Sequence, residues 1–240
     1  MPLEIIGDSG STLIDDSYMN MVLAVKGGLV LTQTGSGTYS YYTQFTYTST
    51  EPSVLMALEL ETTPVGHLSS SRSGNTWTFT VHFNPADLGK VISYYIFTIP
   101  PAVADAGGMM QLRDASGRLT FDSNLKYMRV EGFYQIDGTG GSETGQLVPS
   151  GMSPSRSYAA IAVTARYHNH HQLWPPGGLQ IGNPWTFMDA GYVGVHSRSG
   201  ANIFSINKIT QQGSSSAYNS DQWFRGNYIA RLLVIDVTNF

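Results

Sequence analysis

The sequence predicts an all-β protein of two related, antiparallel, sandwich-like domains in tandem. Charged residues make up only 12 % of the chain, about half the usual ~25 %, and Thr, Ser, Gly and Tyr fill the gap. Such residues suit a pleated surface, whereas long charged side chains suit exposed helices. Period-2 alternation recurs along the chain, and no stretch holds helical periodicity for three turns. The third observation is an internal repeat, the first thing to seek in any sequence. At an offset of 107, Leu3 and Ile5 fall on Met110 and Leu112, and Ser9-Gly10 on Ser116-Gly117. Ile14-Asp15 then falls on Phe121-Asp122, and Met21 on Met128. The shared pattern is apolar-x-apolar, a Ser-Gly turn, an [Ile/Phe]-Asp pair and an apolar strand.

The two units also end alike. Residues 91–99 (VISYYIFTI) close the first and residues 228–237 (YIARLLVIDV) the second, at an offset near 137, so the second unit carries some thirty extra residues. That extra length is expected to be loop, where recognition concentrates on a rigid scaffold. The expected boundary lies at the linker-like Pro100-Pro101 to Gly107-Gly108, giving domains 1–104 and 105–240.

In chain order, residues 3–6 and 13–14 are short strands around an Asp-Ser-Gly turn. Residues 19–25 form a third strand, and Gly27-Gly28 separates it from the next apolar run. In residues 39–47, Tyr39, Tyr41, Thr43, Phe45 and Tyr47 share one face of an extended segment, the pattern of a half-buried strand. Residues 54–60 form another strand, and the Ser-rich residues 67–75 a loop. Trp77, Phe79, Val81 and Phe83 then alternate with Thr76, Thr78, Thr80 and His82, one face in and one out. That pattern puts Trp77 in the core and His82 at the surface. Pro85 to Gly89 suits one helical turn before the closing strand.

In the second unit, residues 137–145 (DGTGGSETG) lack the Gly-Lys-[Ser/Thr] ending of a phosphate-binding loop and suit a hairpin tip. Residues 158–167 are an apolar strand. It leads into the histidine cluster 168–171, expected as a surface loop, and a long insertion, 172–185, with two tryptophans. Residues 192–196 and 203–209 are short strands, and 211–221 a polar loop.

Net charge is −4 with four lysines and no basic run, which argues against binding a phosphate backbone. With no cysteine, disulfide and Cys-zinc chemistry are excluded. Met1 leads directly into Leu3-Glu4-Ile5, so no signal peptide is expected and synthesis is expected in the cytoplasm. No apolar run approaches the ~20 residues of a membrane span.

The candidate contact residues lie in the longer second unit. Trp174, Trp185 and Trp223, with His171 and Tyr192, offer rings that stack on a sugar or anchor a protein interface. In an extended strand His168 and His170 point to one side, and two imidazoles make half of a metal site. Around a threefold axis they would supply six nitrogens, enough for an octahedral transition metal. Otherwise no cofactor is expected. No Gly-x-Ser-x-Gly elbow or calcium-loop spacing occurs, so the expectation is a non-enzyme. The acids Asp15 and Asp122 recur at equivalent turns, which suits structural hydrogen-bond acceptors.

The opening pattern resembles that of small tail-tip and tail-fibre proteins of long-tailed bacteriophages. It is carried by residues 110–123 (MQLRDASGRLTFDS) and, more loosely, by Leu3 to Asp15, about a fifth of the chain. The resemblance implies a virion component at the distal tail, a homo-oligomer with a trimer favoured, in contact with other tail proteins or a host surface glycan or protein. It carries no catalytic residue. The first domain is expected to serve assembly and the second to face outward. The alternative is a free-standing carbohydrate-binding module or lectin using the loop tryptophans.

Overall fold

The computed structural model describes residues 4–6, 12–15, 20–34, 41–60, 63, 65–100, 108–137, 146–149, 152–164, 167–174, 186–200, 202–207, 212–215, 222–224 and 229–240. In the first half the strands are β1 (Glu4–Ile6), β2 (Thr12–Asp15), β3 (Val22–Val30), β4 (Tyr42–Thr48), β5 (Val54–Glu59), β6 (Val65–Ser73), β7 (Thr76–Phe83) and β8 (Val91–Thr98). One 3-10 turn, Pro85–Asp87, precedes β8 at the position expected for it. In the second half come β9 (Gln111–Arg113), β10 (Leu119–Asp122), β11 (Arg129–Asp137), β12 (Gln146–Pro149), β13 (Tyr158–Thr164) and β14 (Tyr167–Trp174). They are followed by β15 (Thr186–Ser199), β16 (Asn202–Asn207), β17 (Gln212–Ser215), β18 (Gln222–Phe224) and β19 (Ile229–Asp236). The protein is all-β, and its strands pair antiparallel.

Six strands form one sheet in the order β11-β19-β13-β5-β8-β3, and a second sheet runs β12-β16-β15-β6-β7-β4. Each order is a palindrome of the duplication. β3, β5 and β8 trade places with β11, β13 and β19; β4, β6 and β7 trade places with β12, β15 and β16. Register supports the match residue by residue. β3 maps onto β11 at the offset of 107, and Ala24 and Glu131 are skipped at equivalent bulges. Hairpin β1–β2 pairs Glu4 with Asp15 and Ile5 with Ile14, while β9–β10 pairs Gln111 with Asp122 and Leu112 with Phe121. Hairpin β6–β7 pairs Arg72 with Trp77, and β15–β16 pairs Arg198 with Ile203. Thr48 meets Thr76 where Pro149 meets Asn202.

The expected boundary near residue 104 falls between β8 and β9, and both sheets continue across it. Ala159 pairs with Glu59 and Ala160 with Leu58 in one sheet, and His196 with Val65 in the other. Continuing the first register sets Ala57 opposite Ile161, two equivalent positions on a pseudo-twofold axis. The physical reason lies in β5 and β13, which are apolar on both faces and so belong at the centre of a sheet. Residues 101–107 of the expected linker lie outside the described residues.

Three apolar clusters follow from this. Val54, Met56 and Leu58 of β5 face Phe79, Val81 and Phe83 of β7, the core between the sheets in the first unit. Tyr158, Ala160, Leu232 and Val234 form its counterpart in the second. The opposite face of the six-stranded sheet carries Ala57, Phe97, Ala159, Ile161 and Ile235, with Met21 and Met128 against them. Here the sheet's two edges meet. The Leu23 N–H donates to the Lys126 carbonyl at 2.7 Å, the Met128 N–H to the Met21 carbonyl at 2.8 Å, and Val22 bridges Tyr127. Burial on both faces explains why the closing strands are near-continuous apolar runs.

Several local expectations are corrected. The Ser-rich segment 67–75 is not a loop: its first seven residues belong to β6, whose partner β7 supplies the apolar alternation that a serine run lacks. Gly27-Gly28 does not interrupt β3. Gly27 lies opposite Tyr94, and a Cβ there would come within 2.8 Å of the Tyr94 hydroxyl, so glycine admits the ring. His82 is 3 % exposed, not a surface imidazole. Tyr42 opposite it lays a ring 5.6 Å away, and buried Gly66 is its neighbour on the other side. Trp77 is half-buried against the first core rather than within it. The half-buried strand expected in residues 39–47 is β4, with Thr43 buried and Phe45 and Tyr47 partly so.

Candidate functional site

The equivalences leave β14, the leading part of β15, β17 and β18 without counterparts among the described residues of the first unit. The extra length of the second unit therefore supplies strands, where the sequence suggested loops. β14 pairs with β15 on one side and β18 on the other, and β17 adds to the far side of β15. The histidine cluster is accordingly in a strand, not a surface loop. So are residues 212–215 of the expected polar loop and 172–174 of the expected insertion.

Register gathers most of the candidate residues. His168 is opposite Tyr192, Trp174 opposite Thr186, and His170 lies between Ala190 and Trp223. Directly opposed residues share a face, and alternate residues of one strand return to it. His168, His170, Trp174, Tyr192 and Trp223 therefore occupy register positions on one face of β18-β14-β15. His171 occupies the other face, between Asp189 and Gln222. Trp185 lies outside the described residues.

The duplicated scaffold buries Asp122 and Asp236. Asp122 is buried and accepts from Gln111 Nε2 at 2.7 Å and the Asn124 N–H at 2.8 Å. The Asn124 N–H chiefly holds its carboxyl below the ordinary value; burial opposes this, and Gln111 and the Gly108 N–H assist. This is a structural acceptor, as the sequence suggests; the side chain of Asp15 is outside the described set. Asp236 lies 3.1 Å from Arg156 and 3.6 Å from Arg129. Burial pushes its carboxyl up, but Thr238 and the two guanidinium groups outweigh this and hold it below the ordinary value. Arg156 and Arg129 thereby tie the segment before β13 and the start of β11 to β19.

Arg198 escaped the sequence reading. Its guanidinium is buried, lies 4.6 Å over the Tyr158 ring, and donates to the carbonyls of Gly200, Arg156 and Ser153. The available signal was Ser-Arg-Ser-Gly, at 71–74 and again at 197–200.

Among the described residues no group of three or more His, Cys, Asp or Glu is placed to hold a metal ion, and no helix is long and apolar enough to cross a membrane. No protein-family model, curated protein or solved structure matches the chain.

Proposed function

We propose that this chain is a structural component of a phage tail tip or tail fibre, with its second unit turned to the host surface. The observation that supports the reading best is the placement of the second unit's extra strands. They form one added sheet, and five of the seven candidate contact positions fall on one of its faces. Aromatic and imidazole groups grouped this way suit a glycan or a host surface protein. The duplicated hairpin of β1–β2 and β9–β10 carries the motif that resembles tail-tip and tail-fibre proteins. Among its described residues the first unit has no counterpart of the added sheet, and it suits contact with other tail proteins.

Immunogold labelling of virions from a phage encoding the chain tests this role. Label at the distal end of the tail is the expected result. Virions without label, in a lysate that contains the protein, would refute it. The lectin reading draws on the same face; it predicts sugar affinity with no virion association.

A further inference from the structure

We infer that the outer edge of β4 is a self-association surface on which a second copy of this chain pairs antiparallel. The inference is independent of the proposed host contact and rests on a different face of the molecule.

Hydrogen bonding fixes which main-chain groups of β4 face outward. The Phe83 N–H donates to the Tyr41 carbonyl, and the Ser49 N–H to the Asn75 carbonyl. Odd-numbered residues from Tyr41 to Ser49 thus direct their main-chain groups toward β7 and its turn. Residues Tyr42, Gln44, Thr46 and Thr48 direct theirs to the open side. The Tyr42 carbonyl accepts from the Thr34 N–H at 3.0 Å. Among the described residues, the outward main-chain groups of Gln44, Thr46 and Thr48 meet no other strand.

Such a row is a template for another strand unless something blunts it. Nothing in β4 does. It contains no charge and no proline, and its register against β7 is unbroken over seven residues. The dyad-equivalent edge, β12, differs at the decisive place. Pro149 stands where β4 has Thr48, and a proline there removes an outward N–H. In the six-stranded sheet the starts of the two end strands, β3 and β11, are already engaged with each other.

A second copy is the occupant that this edge suits. The molecule already joins equivalent strands by antiparallel edge pairing, β5 to β13, about its own pseudo-twofold axis. An uncharged strand meets itself without like-charge repulsion. Pairing centred on Thr46 would set Gln44 of each chain opposite Thr48 of the other, and Phe45 opposite Tyr47, extending the aromatic inner face. In the run from β12 to β4, one open end and one blocked end give a closed pair, whereas two open ends would propagate.

Sedimentation of the full chain at tens of micromolar tests this. The expected species has twice the chain mass of 26.1 kDa. Thr46→Pro removes an outward N–H and leaves the ladder to β7 intact; it should give a monomer with unchanged circular dichroism. Thr46→Lys, which keeps the N–H and adds charge, should do the same and decides the matter if the proline variant unfolds. Pro149→Thr should produce species larger than a dimer. A wild-type monomer or trimer, or a dimer that survives Thr46→Lys, would overturn the inference.

Discussion

Arg72 and Arg198 make the same hydrogen bond at equivalent hairpin turns. Each donates from Nε to the carbonyl of the glycine two residues on, Gly74 at 2.8 Å and Gly200 at 2.6 Å. Both glycines have φ of 58°, a left-handed turn that glycine adopts without strain. The two arginines then diverge. Arg72 is exposed over the Trp77 ring, 5.2 Å from its centroid, whereas Arg198 is buried on Tyr158 and ties β15 to the Ser153 and Arg156 carbonyls.

Removing the two should therefore cost different amounts. Arg198→Ala removes a buried guanidinium that serves three carbonyls and packs on Tyr158, and is expected to lose about 2–4 kcal/mol in urea unfolding. Arg72→Ala gives up an exposed cation–π contact and should lose about 1 kcal/mol or less. Equal losses would contradict the view that only the second turn anchors the core.

Phe240 packs against the apolar cluster of Ala57, Phe97 and Ile235, its ring 5.9 Å from Phe97 and 6.4 Å from Tyr95, with the Arg129 guanidinium 4.7 Å from its centre. Lys26 Nζ donates to its main-chain oxygen, and Lys126 Nζ donates to the Asn239 carbonyl at 2.9 Å. Phe240→Ala keeps the main-chain bonds and removes the ring, so a loss of about 1–3 kcal/mol is expected in thermal unfolding. No change in the melting temperature would show that the ring does not seal the cluster beneath it.

Asp236 gives a pH signature. Its folded-state value lies below the ordinary one, so the stability it adds is present above the usual carboxylate value of ~3.9 and drains away as pH falls through the folded value. Asp236→Asn should be about 1–2 kcal/mol less stable than the native chain at pH 7. The two should converge once the pH has fallen below the folded-state value, where the native carboxylate is protonated. A gap that does not narrow as the solution is made strongly acidic would rule out the carboxylate's charge as its source.

What the sequence revealed was what short-range pattern controls. The hairpins β1–β2 and β9–β10 were legible because a Ser-Gly turn and flanking apolar-x-apolar runs fix both strand and register within a dozen residues; Gly117 has φ of 82°, as such a turn needs. β7 was legible from alternation alone. β6 was not, because serine has no strong preference for a strand and its pairing is decided by β7. His82 was misread because alternation identifies a face but not what covers it, here Tyr42. The interleaving of the two units was hidden because the β5–β13 pairing joins residues about a hundred apart. The added sheet was hidden likewise: β14 and β18 are some fifty residues apart, and only their pairing brings His170 beside Trp223.

We propose that the added sheet of the second unit is the contact surface. Binding of the purified chain to surface polysaccharide from the host bacterium, alongside a Trp174→Ala, Tyr192→Ala, Trp223→Ala variant, tests it most directly. Saturable binding by the native chain is expected, with at least about a tenfold loss in the variant, given that each such ring contributes roughly 1 kcal/mol or more. The melting temperature should hold, since the duplicated scaffold lies outside these positions. Binding unchanged in the variant, or absent from the native chain to both host polysaccharide and host surface protein, would contradict it.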